Sequence, residues 1–431
     1  MPNDGPPAFE DVGYTPLAVE EHSQPLVLNQ VLTEAQKRIA RYQFLSLCLS
    51  LFLIGWNDGS IGPLLHRIQE HYNVNYASAS YIFVMACTGA VVGGVINMPL
   101  DQRFGLGRML VIGSLLQVVV FAAQAMALPF PLFVITFAVG GIGIAIQDAQ
   151  GNGFIATVKH DGELKMGFLQ AAYGLGALAS PLSATQFAQM THWSFHYLVS
   201  LALSILNTVV LARVFRFRTQ DECLVEAGET LPEESSEEVG YKQILQLKAV
   251  HLLAIFLILY IGVEVTIGGW VVTFIRVIRG GGPSSGYVAS GFFGGLTAGR
   301  VLLIWVNQKI GEVNAIWVYT VLALLFQLTV WLVPSIVLNT IAICFIGVLL
   351  GPMYPIVMRH SARIIPRHLV TGSIGWIAAA GAVGSALLPF FTGRLANTYG
   401  IQSLQPFLAV MMVIMGGIWG LVPKKSLPGQ E

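Results

Sequence analysis

Long apolar stretches alternate with short polar segments along most of this chain, and each stretch is about 20 residues long, the length that a helix needs to cross a bilayer. This alternation predicts an all-α membrane protein with twelve transmembrane helices. The predicted spans cover residues 42–65, 77–99, 108–128, 131–157, 167–189, 195–215, 249–273, 286–306, 314–333, 336–358, 371–392 and 406–422.

The polar segments between the spans define the domain organisation. The longest interruption, residues 218–246, carries eight acidic side chains and is typical of a solvated linker. It separates a six-helix bundle at 42–217 from a second one at 247–422. Residues 1–41 are polar and lack an apolar run, which predicts a disordered tail. Residues 423–431 form a second, short tail.

Several glycines and prolines recur at a nearly constant offset in the two halves. The matched pairs, which lie 207 or 208 residues apart, are Gly55 and Gly262, Gly62 and Gly269, Gly143 and Gly351, Gly176 and Gly384, and Pro181 and Pro389. Two parallel six-helix repeats indicate the major facilitator fold, in which the substrate site lies at the midplane between the halves.

Composition and charge narrow the possible functions. The chain is 55% hydrophobic and 11% charged, which leaves no room for a large soluble domain. Its formal net charge is zero, so it has no electrostatic footprint for nucleic acid. Placing both termini in the cytosol puts 19 lysines and arginines inside and 4 outside, which predicts that orientation. We find no nucleophile elbow, metal-ligand cluster or phosphate loop and expect neither an enzyme nor a bound metal.

Three acidic residues, Asp58, Asp148 and Glu264, lie inside predicted spans. A carboxylate near the bilayer centre costs about 2.5–3.5 kcal/mol on insertion scales, so such residues face polar cavities and bind substrates or carry protons. Each also has a structural alternative. Asp58 could bond free backbone groups near a proline, Asp148 could be a neutral acid bonded to Asn152, and Glu264 could latch a neighbouring helix.

Polar and aromatic residues accompany these acids at helical spacing. Asp148 and Asn152 are four residues apart on one face of the fourth span, and Gln170 and Tyr173 are three apart in the fifth. Amides, carboxylates and aromatic rings are the groups that bind sugar hydroxyls and sugar faces. We therefore predict a substrate site formed by Asn57, Asp58, Gln147, Asn152, Gln170, Tyr173, Glu264, Trp270, Tyr354 and Trp376.

The segment from Gly94 to Arg108 resembles the cytosolic loop motif of the major facilitator superfamily, a glycine followed by Asp-Arg-x-Gly-Arg. It differs in a longer spacing before Asp101 and in the residue between Asp101 and Arg103. The resemblance implies a gating role for Asp101, Arg103 and Arg108, against the alternative of a solvated turn. Arg300, in the eighth span, is interpreted as extending to the cytosolic interface or as mirroring this loop motif.

The Gly-Trp-Asn-Asp-Gly of span one (55–59) and the Tyr-x-Gly-x-Glu of span seven (260–264) resemble the fucose:proton symporter family. The chain is particularly similar to its fungal bypass-of-stop-codon-6-like branch. In bacterial members an aspartate of helix one contacts the sugar and a glutamate of helix four takes up the proton. The resemblance thus implies substrate binding by Asp58 and proton coupling by Asp148, with Glu264 undecided between site, proton and latch.

These observations favour a secondary active transporter that moves a small polar solute, with a monosaccharide favoured, by proton-coupled alternating access. A proton-antiport exporter of a metabolite is an alternative, because Gly174 to Pro181 partly resembles the motif of drug:proton antiporters. A nutrient sensor is a second alternative, although its usual long signalling tail is missing. We expect a monomer in the bilayer, in the plasma membrane rather than an internal one, with no organic cofactor beside the coupling proton and no nucleic-acid partner.

Overall fold

The computed structural model describes residues 33–229, 241–366 and 369–424. Within these ranges the chain consists of helices and short connections, without a β-strand, which confirms the all-α prediction. Most of the predicted N-terminal tail (1–32), part of the predicted linker (230–240) and most of the C-terminal tail (425–431) lie outside the described residues.

The first half of the chain contains eight helices between residues 33 and 229. They are α1 (Glu34–Tyr72), α2 (Tyr76–Ala79), α3 (Tyr81–Phe104), α4 (Leu106–Ala125), α5 (Phe130–Thr157), α6 (Gly162–Ala188), α7 (His196–Phe215) and α8 (Gln220–Glu226). Helices α2 and α3 together form the second predicted span, and α8 follows the sixth.

The second half contains nine helices in the described residues. They are α9 (Tyr241–Gln246), α10 (Lys248–Ile278), α11 (Tyr287–Leu302), α12 (Ile304–Ile310), α13 (Glu312–Leu332), α14 (Ile336–Leu350), α15 (Met353–Ile364), α16 (Val370–Tyr399) and α17 (Leu404–Leu421). The eighth span is the pair α11 and α12, which bends by 53°. The tenth is the pair α14 and α15, interrupted at Gly351 and Pro352.

Ten helical segments of the described chain are long and apolar enough to cross a membrane, or eleven with the bent pair. The one remaining predicted span, the fifth (167–189), corresponds to α6, which is 27 residues long but more polar near its start, at Glu163 and Lys165. The twelve predicted spans therefore match twelve helical segments, and the chain is an integral, multi-pass membrane protein.

Two segments differ from the sequence prediction. Helix α1 begins at Glu34 rather than at residue 42, because Thr33 and Gln36 form a capping box. The predicted linker contains α8 and α9, and α8 has a capping box at Thr219 and Glu222. Cys223 in α8 is buried, and its carbonyl oxygen accepts a 3.1 Å hydrogen bond from Gln43 Nε2. This part of the linker is packed against the bundle rather than solvated.

The two halves repeat the same packing between the second and fourth spans. Small residues allow helix backbones to approach closely in a membrane, and here a Cβ added at each such glycine would collide with a carbonyl of the partner helix. In the first half the contacts are Gly89 with Ala138, Gly93 with Ile142 and Gly141 with Ala86. The corresponding contacts of the second half are Gly295 with Cys344, Gly299 with Val348 and Gly347 with Phe292. All of these pairs are related by 206 residues.

The first and fifth spans repeat in the same way. Gly176 of α6 lies against the carbonyl of Phe52 in α1, and Gly384 of α16 lies against the carbonyl of Ile258 in α10. This contact confirms the pairing of Gly176 with Gly384, but it relates α1 to α10 by 206 residues rather than 207. Asp58 and Glu264 are therefore equivalent positions of the two halves.

Three sequence-based pairings are consequently corrected, the first because Gly55 is equivalent to Ile261 rather than Gly262. Gly62 is equivalent to Gly268 rather than Gly269, and the two glycines touch each other where α1 crosses α10. Gly143 lies against Gly113 in α4, whereas Gly351 lies against Leu296 in α11, so these two glycines are not equivalent. The distance in sequence between equivalent positions changes by one or two residues along the chain because the connections between helices differ in length in the two halves.

The halves contact each other at the end of the bundle opposite to the start of α1, which we call the far side; the end where α1 begins is the terminal side. The contacts there are Gly62 with Gly268, Ser80 with Gly393, Thr185 with Gly286, and the ring of Trp270 with those of Tyr76 and Phe83. They close the space between the halves on the far side.

On the terminal side the facing surfaces of the halves are exposed. Asp148 of α5, Phe168 of α6 and Trp376 of α16 are all exposed, the last by 44%. A Cβ added at Gly153 or Gly375, which lie in the same parts of α5 and α16, would meet open space. The structure is therefore closed on the far side and open on the terminal side.

Candidate functional site

A central cavity lies between the halves, just on the terminal side of the Gly62–Gly268 contact. Its polar lining includes Asn57, Asp58, Tyr173 and Glu264, and Phe293 contributes to its apolar wall. Four of the ten predicted substrate residues therefore share one cavity, at the junction between halves where the repeat architecture predicts it.

Asp58 is the most completely held of the polar groups in this cavity. The Tyr173 hydroxyl donates to Asp58 Oδ2 at 2.9 Å, and Asn57 Nδ2 donates to Oδ1 at 3.4 Å. Tyr173 reaches Asp58 because Gly55 lets α1 approach the carbonyl of Tyr173 in α6. The carboxylate is thus fixed in orientation and retains free acceptor capacity toward the cavity.

Glu264 occupies the equivalent position in the second half but has different neighbours. Tyr260 precedes it by one turn on α10, and the Arg300 guanidinium of α11 lies within electrostatic range. The Tyr260 hydroxyl is close enough to interact with the Glu264 carboxylate, but within the described chain no ion pair fixes it. Glu264 is therefore free to bind a ligand, since it is half-buried and lines the cavity.

A second polar group lies further toward the terminal side. Asn152 Nδ2 donates to Asp148 Oδ1 at 2.8 Å, and Gln170 Nε2 donates to Asn152 Oδ1 at 3.0 Å. The first bond links two residues on one face of α5, as the helical spacing predicts, and the second joins α5 to α6. Asp148 itself is exposed and interacts electrostatically with Tyr354 across the gap between the halves. This network borders the open path rather than the cavity that contains Asp58.

The structure places three predicted substrate residues elsewhere. Gln147 is fully buried between α5 and α4, where it accepts a 2.5 Å hydrogen bond from Gln117. Because successive helix positions are 100° apart, Gln147 points away from the face that carries Asp148. Trp270 is fully buried in the far-side contact, and its Nε1 donates to the Pro389 carbonyl at 3.1 Å.

The third of these residues, Trp376, is exposed on the terminal side of the cavity and does not line it. Tyr354 is likewise absent from the cavity lining and faces the path beside Asp148. The position of an aromatic residue within a span does not specify the direction of its side chain on a helix that is apolar all round.

The predicted gating loop is ordered but makes no latch in this structure. Asp101 has no ion-pair partner among the described residues, and the Arg103 guanidinium lies 5.7 Å from the centroid of the Phe104 ring. Arg108 is exposed. An open latch agrees with a bundle that is open on the terminal side, which is where this loop lies.

The corresponding loop of the second half carries an ion cluster that the sequence did not indicate. Gly105 and Gly311, 206 residues apart, both have positive φ, +76° and +80°. After Gly311, Glu312 accepts a 2.7 Å hydrogen bond from Arg359 Nε, and Arg363 Nη1 lies 2.9 Å from its other oxygen. These contacts join the start of α13 to α15 on the terminal side.

Arg300 is the functional candidate that the sequence interpretation placed wrongly. Rather than extending to the membrane interface, its guanidinium lies within electrostatic range of Glu264, Tyr260, Tyr173 and Tyr354. The available signal was a charged residue one position after a glycine in an apolar span, the same kind of signal that identified the three acids.

Comparisons with known proteins agree with this architecture. The profile of the Major Facilitator Superfamily matches residues 47–389. "Bypass of stop codon protein 6" of Saccharomyces cerevisiae is 29% identical, over 88% of this chain and 82% of that protein. A glucose/mannose transporter of Bacillus subtilis is 22% identical, over 85% and 91%.

Among solved structures, a D-xylose-proton symporter superposes with a TM-score of 0.75 at 15% identity, over 90% of this chain and 100% of that one. The family consists of transporters rather than enzymes, in line with the sequence argument. The profile match over most of the chain and the twelve helical segments lead to one conclusion: this chain belongs to the major facilitator superfamily.

Proposed function

We propose that the chain transports a monosaccharide in symport with protons, by alternating access between its two halves. The observation that carries this proposal is the Asp58 carboxylate, held at 2.9 Å by Tyr173 in a cavity between the halves. A fixed, cavity-facing acceptor with an adjacent amide, Asn57, suits the hydroxyl groups of a sugar.

The names of related proteins support this substrate class. Besides the glucose/mannose transporter and the D-xylose-proton symporter, a glucose/galactose transporter of Brucella abortus is 24% identical over 91% of this chain. In the proposed mechanism Asp58 accepts hydrogen bonds from the sugar, and Tyr173 and Asn57 hold its carboxylate in place.

Asp148 is the proposed proton carrier. It is exposed on the open side of the molecule, where it can exchange a proton with water, and Asn152 and Gln170 connect it to α6, the helix that carries Tyr173. Glu264 is a second candidate because no ion pair holds its carboxylate. The two acids lie on different halves, so closure of the path brings them closer together.

The transport cycle follows from the asymmetry between the two ends. The far side is closed by contacts centred on Gly62 and Gly268, which are equivalent positions of the repeat. Rocking of the halves about this crossing would open the far side while α5 and α6 approach α15 and α16. With both termini in the cytosol, the orientation that we propose, this structure is the inward-facing state of a monomer in the plasma membrane.

Flux measurements on the full-length chain in proteoliposomes test the proposal. We expect uptake of at least one of D-glucose, D-galactose, D-mannose and D-xylose, and uphill accumulation only under an inward pH gradient. Asp148→Asn should abolish uphill accumulation while retaining sugar exchange across the membrane without a gradient. Asp221→Asn, an exposed change on α8, is the control.

The outcomes separate the alternatives. A sugar flux that does not depend on the pH gradient would refute proton coupling. Movement of no sugar, together with gradient-driven extrusion of an unrelated metabolite, would favour the exporter, and sugar binding without flux would favour a sensor. Uphill accumulation that persists unchanged in Asp148→Asn would refute the assignment of that residue.

A further inference from the structure

Among the described residues, the position of Arg300 near the central cavity carries a cation in the second half but not in the first. Arg300 of α11 is 206 residues after Gly94 of α3, so the equivalent position of the first half has no side chain. A Cβ added at Gly94 would meet open space. A charged residue inside a transmembrane segment is costly and is a candidate for a functional site.

The contacts between helices place Arg300 beside Glu264 and Tyr260. Helices α10 and α11 are consecutive spans and run antiparallel, and Gly268 contacts the ring of Phe293. One turn from this contact toward the terminal side, position 264 of α10 therefore lies beside position 297 of α11. One turn further, position 260 lies beside position 300. Tyr260 and Arg300 face each other one turn from Glu264 toward the terminal side.

The same face of α11 also touches the first half of the protein. Thr297, one turn before Arg300, meets the position of Gly174 in α6, next to Tyr173. The Arg300 guanidinium consequently interacts electrostatically with Tyr173 as well as with Glu264. Tyr173 holds Asp58, and both Tyr173 and Glu264 line the central cavity, so this cluster adjoins the Asp58 site through Glu264 while Tyr260 and Arg300 lie outside the cavity lining itself.

The hydrogen-bonding capacity of the cluster is largely unused. The Tyr260 hydroxyl belongs to a side chain that is 1% exposed and lies near both Glu264 and Arg300, yet neither it nor Arg300 Nε has a hydrogen-bond partner within 3.5 Å. Within the described chain Glu264 and Arg300 are not joined by a nitrogen–oxygen contact within 4.0 Å. A buried donor or acceptor is expensive to leave unpaired, so this arrangement is suited to a group that enters the gap.

We propose that Glu264, Arg300 and Tyr260 form a second sugar subsite that binds two adjacent hydroxyl groups. One hydroxyl donates to the Glu264 carboxylate and the next accepts from the Arg300 guanidinium, with Tyr260 beside both. A carboxylate supplies only acceptors and a guanidinium only donors, so the pair matches a vicinal diol, in which each hydroxyl can do either. The sugar then bridges Asp58 in one half and this subsite in the other.

This inference rests on the proposed function, and the experiment separates the two. The probes are the panel monosaccharide that the native full-length chain binds most tightly and its monodeoxy analogues, with binding measured in lipid nanodiscs. We expect the analogues that lack one or the other of two adjacent hydroxyl groups to bind at least about tenfold more weakly than the parent sugar, as the loss of a hydrogen bond to a charged group implies. Arg300→Gln should weaken the parent sugar by a similar factor and remove the penalty at one of these positions.

Arg300→Lys provides a second variant in which the positive charge beside Glu264 is kept but the planar guanidinium is lost; we expect intermediate affinity. Arg213→Gln, which removes an exposed arginine at the end of α7, is the matched control. Native affinity in both Arg300 variants, or a deoxy series without two adjacent penalties, would overturn the subsite and leave the proposed function standing. Binding of no panel sugar by the native chain would instead count against the proposed function.

Discussion

Asp58 and Glu264 occupy the same position in the two halves of the molecule, 206 residues apart, and both line the cavity between them. Their environments differ. Asp58 is held by the neutral donors Tyr173 and Asn57, whereas Glu264 lies near the cation Arg300 without an ion pair. The repeat thus supplies two equivalent acids, and the helices around them give each a different set of neighbours.

The Tyr173–Asp58 hydrogen bond should contribute to substrate affinity. Tyr173→Phe removes a 2.9 Å donor to a carboxylate, an interaction worth about 1.5–3 kcal/mol. We expect the half-saturating sugar concentration to rise roughly tenfold or more, since 1.4 kcal/mol corresponds to a factor of ten. Asp58→Asn should be more severe because it also removes the acceptor.

Initial rates of sugar uptake in proteoliposomes measure this effect. Tyr42→Phe is a suitable control, because Tyr42 lies in the same transmembrane bundle and is 55% exposed, away from the cavity. Unchanged uptake kinetics in a folded Tyr173→Phe protein would show that Asp58 does not need this donor.

The close crossings of the first and fifth spans should be sensitive to a single methyl group. Gly176→Ala and Gly384→Ala each place a Cβ against a backbone carbonyl of the neighbouring helix, which cannot move as a flexible side chain does. Overpacking of this kind costs about 1–3 kcal/mol. We expect a lower midpoint of thermal unfolding in detergent for both variants.

Gly417→Ala serves as the matched control for these two changes. Gly417 lies inside α17 and a Cβ there would meet nothing within 4 Å, so the change should be neutral or stabilising by roughly 0.5–1 kcal/mol, the usual advantage of alanine in a helix. Equal unfolding midpoints for Gly384→Ala and Gly417→Ala would contradict the close crossing of α10 and α16.

Glu312 should stabilise the terminal side of the second half. Glu312→Gln removes the partner of two arginines, Arg359 at 2.7 Å and Arg363 at 2.9 Å. Because both arginines are more than half exposed, solvent screening limits the expected loss to about 1 kcal/mol. The loss should shrink at high salt, which screens exposed charges.

Thermal unfolding at low and at about 1 M salt, where the screening length is only about 3 Å, measures the Glu312 contribution. Glu34→Gln breaks a fully exposed pair with Lys37 and should not alter stability at either salt concentration. A Glu312→Gln protein as stable as the native one at low salt would show that this cluster does not stabilise the state that is open on the terminal side.

The sequence predicted the number and order of the spans because the thickness of a bilayer fixes the length of an apolar helix. It did not predict which way the side chains point. Gln147 and Asp148 are neighbours in an equally apolar segment, yet only Asp148 faces the open path. A helix that is apolar all round has no polar stripe from which its orientation could be derived.

Arg300 shows a second limit of the sequence pattern. An arginine close to the predicted end of a span at residue 306 is consistent with the membrane interface, where long basic side chains extend to water. The span instead bends by 53° between α11 and α12, and the arginine packs against α10. Only the positions of neighbouring helices, which a single span does not encode, distinguish the two locations.

Opening of the far side should be required for transport, and a crosslink can prevent it. Thr185 and Gly286 lie on opposite halves, and a Cβ at Gly286 would be 2.9 Å from the Thr185 Cβ. This is about 1 Å from the roughly 3.8 Å spacing of a disulfide. In the variant with Thr185→Cys and Gly286→Cys, oxidation should therefore lock the halves together on this side.

We expect oxidation of this double variant to abolish sugar flux and a reductant to restore it, whereas the single variants Thr185→Cys and Gly286→Cys should respond to neither treatment. Binding of sugar from the terminal side should survive oxidation, because the crosslink closes only the side that is already shut and leaves Asp58 accessible. This combination distinguishes a locked conformation from a damaged site. Undiminished flux through a protein whose crosslink is verified by mass spectrometry would contradict alternating access about the Gly62–Gly268 crossing.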